Sequence, residues 1–411
     1  MNKKTRKHAP ERRLTWGIMS FFFLAFLLLA AKNQAASGYI LAVSVPCLIY
    51  LGVQLLPRLF PVDQLLLSLT NFLCALGILL QYSVNPAGAP HQALSYGIGM
   101  AAMIACVFLV RGLSRWDHAL WMILPVSLLL LAAPLLLGRE INGARSWLVL
   151  GSFSFQPSEA VKLSLVISLA WLLSRRRYLP ALLLTLLFLV LLLFQRDLGT
   201  ALIYYCTALM LFWAASGNLP LFLLGLGGGA GAALFGYRVF SHVRQRVAIW
   251  QNPLADPEGA GYQLIQGLNA MARGGIWGVG LGRGNPASIP VCESDFIFAV
   301  LCEQFGLFFA GCVLLVYAAL IWRAASVACS SLSSFHSLLA IGAAIMLGLQ
   351  TFVIIGGVLG MIPLTGVTLP FISYGGSSLI SSLCLTGLVQ GVESINEEHM
   401  REAARMTMLD R

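Results

Sequence analysis

Charge is what this sequence has least of. Only 10% of its 411 residues are charged, where a soluble globular domain carries about 25%. Acids are the scarcer sign, 16 against 26 lysines and arginines. Hydrophobic residues make up 58% of the chain, and the mean hydropathy is +0.83. This balance excludes an ordinary soluble domain and argues for a polytopic membrane protein. The length allows roughly a dozen spans of about 20 residues each.

Chemical signatures are also missing. The nine cysteines have no paired spacing and no CxxC, so they read as small buried hydrophobes, with neither a disulfide framework nor a zinc site. The six histidines are scattered, and no His–Asp set accompanies Ser377, which excludes a serine nucleophile of the triad kind. No strong internal repeat is present. The net charge of +10 sits in short loops rather than on one patch, so a nucleic-acid partner is not expected. Anionic headgroups or a phosphate-bearing lipid suit that charge better.

What the sequence does have is apolar runs. Twelve are found, at about 14–31, 38–56, 65–81, 95–111, 118–137, 158–174, 180–194, 198–215, 218–238, 295–322, 335–360 and 374–394; several are short or interrupted, so ten or eleven spans are also compatible. The first run follows a basic segment and is too long for a signal h-region, so it reads as an anchor. Lys3, Lys4, Arg6, Lys7, Arg12 and Arg13 place the N-terminus in the cytoplasm by the positive-inside rule. With twelve spans, the basic turns at 111–118 and 174–178, Arg323 and the C-terminal tail fall inside as well. Residues 138–157, the Gln195-Arg196-Asp197 turn and the long loop 239–294 then fall outside. The small-residue stretch 225–236 predicts close helix packing.

Basic residues are usually depleted outside, yet Arg139, Arg145, Arg238, Arg244, Arg246, Arg273 and Arg283 lie there. Either ordered outer loops simply tolerate arginine, or the outer face takes an anionic ligand, for which the guanidinium fork suits phosphate.

Several short motifs occur in a fixed order: Gly143-Ala-Arg-Ser-Trp147, Phe155-Gln-Pro-Ser-Glu-Ala-Val-Lys162, Gln195-Arg-Asp-Leu-Gly-Thr-Ala201, Gln245-Arg-Val247, Gly261-Tyr-Gln263, Gly274-Gly-Ile-Trp-Gly-Val-Gly-Leu-Gly282, Asp295-Phe-Ile-Phe298, Pro363-Leu-Thr-Gly366 and Leu369-Pro-Phe-Ile-Ser-Tyr-Gly-Gly-Ser-Ser378. The ordered set, over roughly 138–395, resembles the SEDS family (shape, elongation, division and sporulation), the group of RodA, FtsW and SpoVE. The resemblance implies an all-α polytopic bundle, to which the apolar runs give about 12 spans (10–12) and the basic residues cytoplasmic termini. It divides the chain into a basic tail 1–13, N-terminal spans 14–137 with two more than usual, a core 138–395 carrying the extracellular loop 239–294, and a cytoplasmic tail 396–411. The sequence departs from the family pattern at Val291 after Pro290, at Glu293, at Arg273 in place of Ser, and at Ile354 in place of Asn.

The resemblance implies a peptidoglycan glycosyltransferase of the bacterial cytoplasmic membrane. Such a protein polymerises lipid II on the outer face, beside a class B penicillin-binding protein and other elongasome or divisome membrane proteins. The reaction needs a base for the attacking sugar hydroxyl, positive charge for the departing undecaprenyl pyrophosphate, and positioning. Asp295, at the outer start of the tenth span, matches the family's catalytic residue; on residue type alone it reads equally as a helix N-cap. Asp197 is either a polar hairpin acid paired with Arg196 or a second catalytic acid that holds Mg or Mn together with Asp295. Glu159 and Lys162, spaced i, i+3, are either an internal ion pair or a substrate contact. Arg145 is an interfacial partner of Trp147 or a pyrophosphate contact, and Arg246 carries the same reading. Ser377 lies in a loop that is either a structural turn or a substrate contact. Glu303 reads as an internal hydrogen-bonding acid or as one sharing a polar seam with Asp295, and Glu293 as a solvated loop acid. A lipid II flippase and a non-catalytic scaffold are the competing functions.

Overall fold

The protein, as a computed structural model, is described over residues 9–112, 116–141, 144–150 and 153–409. Twelve long helices form a bundle: α1 (Ala9–Asn33), α2 (Ala36–Leu59), α3 (Gln64–Val84), α4 (Ala89–Gly112), α5 (Trp116–Leu137), α6 (Pro157–Ser174), α7 (Tyr178–Phe194), α8 (Leu198–Ser216), α9 (Leu219–Val239), α12 (Ile297–Cys329), α13 (Ser334–Val358) and α14 (Gly376–Leu409). Eleven are long and apolar enough to cross a membrane; α7, with 17 residues, is slightly shorter. Each run read from the sequence therefore corresponds to one helix. In lipid this follows from the backbone, whose polar groups find partners only within a helix or a closed barrel.

The core runs along α3, α6, α13 and α14, the helices with the largest buried shares. α9 buries no residue. Its Gly225 and Gly229 approach Leu209 and Tyr205 of α8, whereas Gly227, Gly231 and Gly236 face open space. Close packing thus holds for only part of the small-residue stretch. Residues 396–409, expected as a tail, continue α14 without a break.

A short antiparallel sheet fills the segment between α5 and α6: β1 (Arg139–Ile141), β2 (Ala144–Leu150) and β3 (Phe153–Phe155), in that spatial order. The long outer loop is folded as well. It contains α10 (Ser241–Gln251) and α11 (Tyr262–Gly274), each followed by a short 3-10 turn, Pro253–Ala255 and Pro286–Ser288.

The opposite end of the bundle is pinned by polar contacts. Asp63 caps α3 through Leu66 N–H (3.0 Å), pairs with Arg323 (2.5 Å), and exchanges backbone bonds with the Gln390 amide at 2.9 Å each. Arg111 of α4 pairs with Glu398 of α14.

α12 is broken at Gly306, which has φ 83 and ψ 166. The break leaves backbone groups without partners, and the glycine-rich segment after α11 supplies them. Val279 and Gly280 N–H donate to Glu303 and Gln304 C=O at 2.9 and 3.0 Å. Leu307 and Phe308 N–H donate to Gly275 and Ile276 C=O at 2.9 and 3.1 Å. A Cβ on Gly306 would lie 2.2 Å from Ile276 O and 2.5 Å from Gly278 N, both backbone atoms. Gly306→Ala is therefore expected to destabilise the protein by at least the ~1–3 kcal/mol of a forced backbone conformation. Gly311→Ala, with nothing within 4 Å of its added Cβ, is the control in the same helix. A thermal melt of detergent-purified protein checks the pair; equal melting temperatures would remove the role given to the break.

Candidate active site

One cavity of about 1790 Å³ opens at the end of the bundle that carries the sheet, the α7–α8 turn, α10 and the 359–375 loop. Asp197, Asp295, Arg246, Glu159 and Ser377 line it. The three outer regions expected from the sequence thus converge on one site, although they are far apart along the chain.

Asp295 lies two residues before α12, whose N-cap is Phe296 with no side-chain cap bond. The carboxylate is therefore not used for capping. Its hydrogen bond comes from the adjacent Ser294 hydroxyl (2.8 Å). Burial pushes the Asp295 carboxyl up, and the Ser294 bond and the Arg246 charge pull it partly back. A carboxylate raised in this way is better matched to take a proton near neutral pH.

The loop holding Asp295 is fixed from two sides. Tyr374 N–H donates to Glu293 O (2.9 Å), the Ser373 hydroxyl donates to Ser294 O (2.5 Å), and Ser373 Oγ accepts from Leu369 N–H (2.9 Å). This is the structural work of the Leu369–Ser378 motif. On the other side Glu293 accepts from Gln81 Nε2 (2.9 Å) and Asn85 Nδ2 (3.1 Å) of α3 and its C-cap. Glu293 is thus a clamp, not the solvated loop acid expected. Val291 turns this loop with φ 53, an outlier for a β-branched residue.

Asp197 is the residue that caps a helix. It is the N-cap of α8 and accepts from Thr200 N–H (3.1 Å), the Thr200 hydroxyl (2.9 Å) and Gln156 Nε2 (3.0 Å). It makes no ion pair with Arg196 among the described residues, contrary to the hairpin reading. Burial pushes its carboxyl up, the Thr200 and Gln156 bonds lower it, and the nearby Glu159 charge raises it again.

Arg246, on α10, donates from Nη1 to Leu364 O (3.2 Å) and Thr365 O (2.8 Å). A Cβ on Gly366 would lie 3.7 Å from both Arg246 Nη2 and Asp295 Oδ2, so the two groups flank one point. Asp295 and Asp197 both act on the Arg246 charge. Gly199 of the Asp-Leu-Gly-Thr motif lets the 363–367 loop come this close: a Cβ there would lie 2.8 Å from Thr365 O.

Glu159 and Lys162 form a buried ion pair (2.5 Å) on α6. Lys162 also donates to Gln350 Oε1 (2.9 Å), and the Ser381 hydroxyl donates to Glu159 (2.7 Å). Glu159 reaches the cavity wall; Lys162 lies behind it. Arg145 is exposed on β2 and is not among the wall residues, although Ala144, Ser146 and Trp147 are; its backbone N–H donates to Gln195 O (2.9 Å). Glu303 does not share a seam with Asp295. It pairs with Arg273 (3.0 Å) and accepts from Asn285 N–H (3.2 Å), so the arginine that departs from the family pattern serves a buried acid of this chain.

Arg196 and His242 also line the cavity. The sequence offered little signal for either. Arg196 was explicable as a partner of Asp197, and its φ of 60 is not visible in residue order. His242 is marked only by its i, i+4 spacing from Arg246.

Among the described residues no three His, Cys, Asp or Glu side chains cluster as a metal site. The two aspartates could supply one or two carboxylates to a cation, as suits Mg²⁺ held mainly by substrate phosphates.

Residues 63–398 match the cell cycle protein family of FtsW, RodA and SpoVE. Stage V sporulation protein E of Bacillus subtilis is 34% identical over 80% of this chain and 96% of its own. The peptidoglycan glycosyltransferase RodA of Mycobacterium bovis is 34% identical over 80% of this chain and 77% of its own. The solved structure of RodA from Thermus thermophilus superposes with a TM-score of 0.62 at 32% identity, covering 82% of this chain and 98% of that one. A chain from a structure described as "Structural coordination of polymerization and crosslinking by a peptidoglycan synthase complex" superposes with a TM-score of 0.68 at 33% identity, over 82% and 98%. The family match begins at residue 63, so α1 and α2 lie outside it. With a family match over most of its length, and relatives 34% identical to it over 80% of the chain, this chain belongs to the FtsW/RodA/SpoVE family.

Proposed function

We propose that the protein is a peptidoglycan glycosyltransferase that polymerises lipid II at the outer face of the bacterial cytoplasmic membrane. The observation that carries this reading is the single cavity into which Asp295, Asp197 and Arg246 all face. The names of its relatives support the same chemistry. Arg111, Arg323, Arg401 and the Arg175–Arg177 turn lie at the end away from the cavity, so the positive-inside rule directs the cavity outward.

In this reading Asp295 accepts the proton of the acceptor sugar hydroxyl as its oxygen bonds to the anomeric carbon of the donor. The bond from that carbon to the diphosphate breaks, its electron pair goes to the phosphate oxygen, and undecaprenyl pyrophosphate leaves. Attack from the face opposite the leaving group inverts the anomeric centre. Arg246 supplies positive charge beside the reacting groups. Asp197 orders the α8 terminus around Thr200. A divalent cation, Mg or Mn, belongs to the proposal: Asp295 and Asp197 would hold it with the substrate phosphate oxygens, and it would offset charge on the leaving diphosphate. Arg145, Glu159, Lys162 and Ser377 are support for the site. Of these, Glu159 and Ser377 are on the cavity wall.

The partner in this reading is a class B penicillin-binding protein within an elongation, division or sporulation assembly. The similarity to a chain of a peptidoglycan synthase complex supports it. The test is to purify the protein with such a transpeptidase, add lipid II and Mg²⁺, and resolve the products by length. Glycan strands are expected, with the yield reduced by EDTA and restored by Mg²⁺ or Mn²⁺. Lipid II moved between leaflets with no strand formed would replace the enzyme by a flippase; neither movement nor strands would leave a scaffold.

A further inference from the structure

The cavity has a cationic corner of which the proposed chemistry above uses only Arg246. His242 and Arg246 are one helical turn apart on α10, and both line the cavity. Arg196, at the α7–α8 turn, lines it as well, and its charge acts on His242. The His242 Nε2 is buried and has no hydrogen-bond partner. An orphaned buried nitrogen costs stability unless a ligand completes it. The Phe240 ring lies 5.5 Å from the imidazole, and Phe235, Leu189 and Leu193 continue the wall with apolar surface. The site therefore joins three basic side chains to a greasy flank.

We propose that Arg196, His242 and Arg246 form a diphosphate subsite, with the orphaned His242 Nε2 as a hydrogen-bond donor, and that His242 binds the diphosphate as an imidazolium. The wall itself calls for an anion joined to an apolar chain; that this is a diphosphate on a prenyl chain rests on the glycosyltransferase reading. Burial, then the Arg246 and Arg196 charges, hold the imidazole below its usual range, so the free site keeps it neutral near pH 7. Of the carboxylates on this cavity, Asp295 and Asp197 act on the Arg246 charge, but none of Asp197, Asp295 and Glu159 contributes to the shift of His242. An incoming diphosphate brings negative charge to the same corner and reverses the effect of the two arginines. Binding is then linked to uptake of a proton by His242.

The probes are farnesyl diphosphate and inorganic pyrophosphate, titrated calorimetrically into the full-length protein in buffers of different ionisation enthalpy at pH 6 and pH 8. The prenyl probe is expected to bind more tightly than pyrophosphate, because only it covers the apolar flank. His242→Gln keeps a hydrogen bond but cannot charge. It is expected to weaken farnesyl diphosphate about tenfold at pH 6, with a much smaller effect at pH 8, and to take up up to about one proton fewer. His242→Lys is expected to restore binding at pH 8. Equal affinity and equal proton uptake in all three proteins would overturn the proposal, as would no binding of either probe to the wild type. Equal binding of the two probes would leave the diphosphate site and remove its prenyl arm. Lipid II polymerisation is measured on the same preparations. Strands formed with His242-independent binding sink this inference and keep the enzyme; His242-dependent binding with no strands does the reverse.

Discussion

Asp295→Asn is expected to lower glycan polymerisation by about 10²–10⁴-fold, the range for loss of a positioned general base. The protein should remain folded. Asp295 holds no helix cap and accepts its one side-chain bond from the neighbouring Ser294, so an amide keeps the local geometry. The stability effect has a definite sign. Burial raises the folded-state value of this carboxyl above its unfolded one. The folded state therefore binds the proton more tightly. Stability contributed by that proton is present below the unfolded value and is lost as pH rises through the folded one. At neutral pH the wild type bears the cost of a desolvated carboxylate that the amide does not, partly offset by its attraction to Arg246. The melting temperature of Asp295→Asn should accordingly be no lower than that of the wild type. The same shift moves the acid limb of kcat/KM above the ordinary carboxylate range, since the base works only when deprotonated. Strand synthesis at the normal rate by a folded Asp295→Asn protein would end the assignment.

Lys162→Met is expected to destabilise the protein by about 3–5 kcal/mol, because it leaves Glu159 buried with its counter-charge removed. The loss extends further than the pair. Lys162 also donates to Gln350, and the Gln350 amide donates to Thr368 O (2.8 Å), in the loop that leads to Ser373 and so to Asp295. Glu159→Gln/Lys162→Met removes both charges and should recover most of the stability. Activity separates structure from contact. If the pair only packs α6 against α13 and α14, the double variant regains activity with stability. If Lys162 touches substrate phosphate, activity stays low in a protein that melts normally. Denaturant or thermal unfolding of the two variants, beside strand synthesis, decides between these.

The class of this protein was legible from its residues because lipid restricts the choice. Twelve apolar runs became twelve helices since a backbone in hydrocarbon has almost no other way to pair its polar groups. The ordered motifs likewise named the cavity wall in advance: Asp295, Asp197, Glu159, Arg246 and Ser377 all reach it. The first signal is carried by composition, the second by the family resemblance of the ordered motifs.

Which acid does what was decided by tertiary contacts. Asp295 read as a helix cap and Asp197 as a hairpin acid, yet it is Asp197 that caps, because Thr200 meets it there, with Gln156 as a further partner. Glu293 finds Gln81 and Asn85 more than 200 residues away, and Glu303 finds Arg273 across the glycine-filled break at Gly306. Arg196 comes to the cavity that His242 and Arg246 line only because the α7–α8 turn and α10 border the same space. Hydropathy and periodicity determined where the chain crosses the membrane. The pairing of its few charges depended on which loops close over one another, since a buried charge is tolerable only beside a partner that chain order does not reveal.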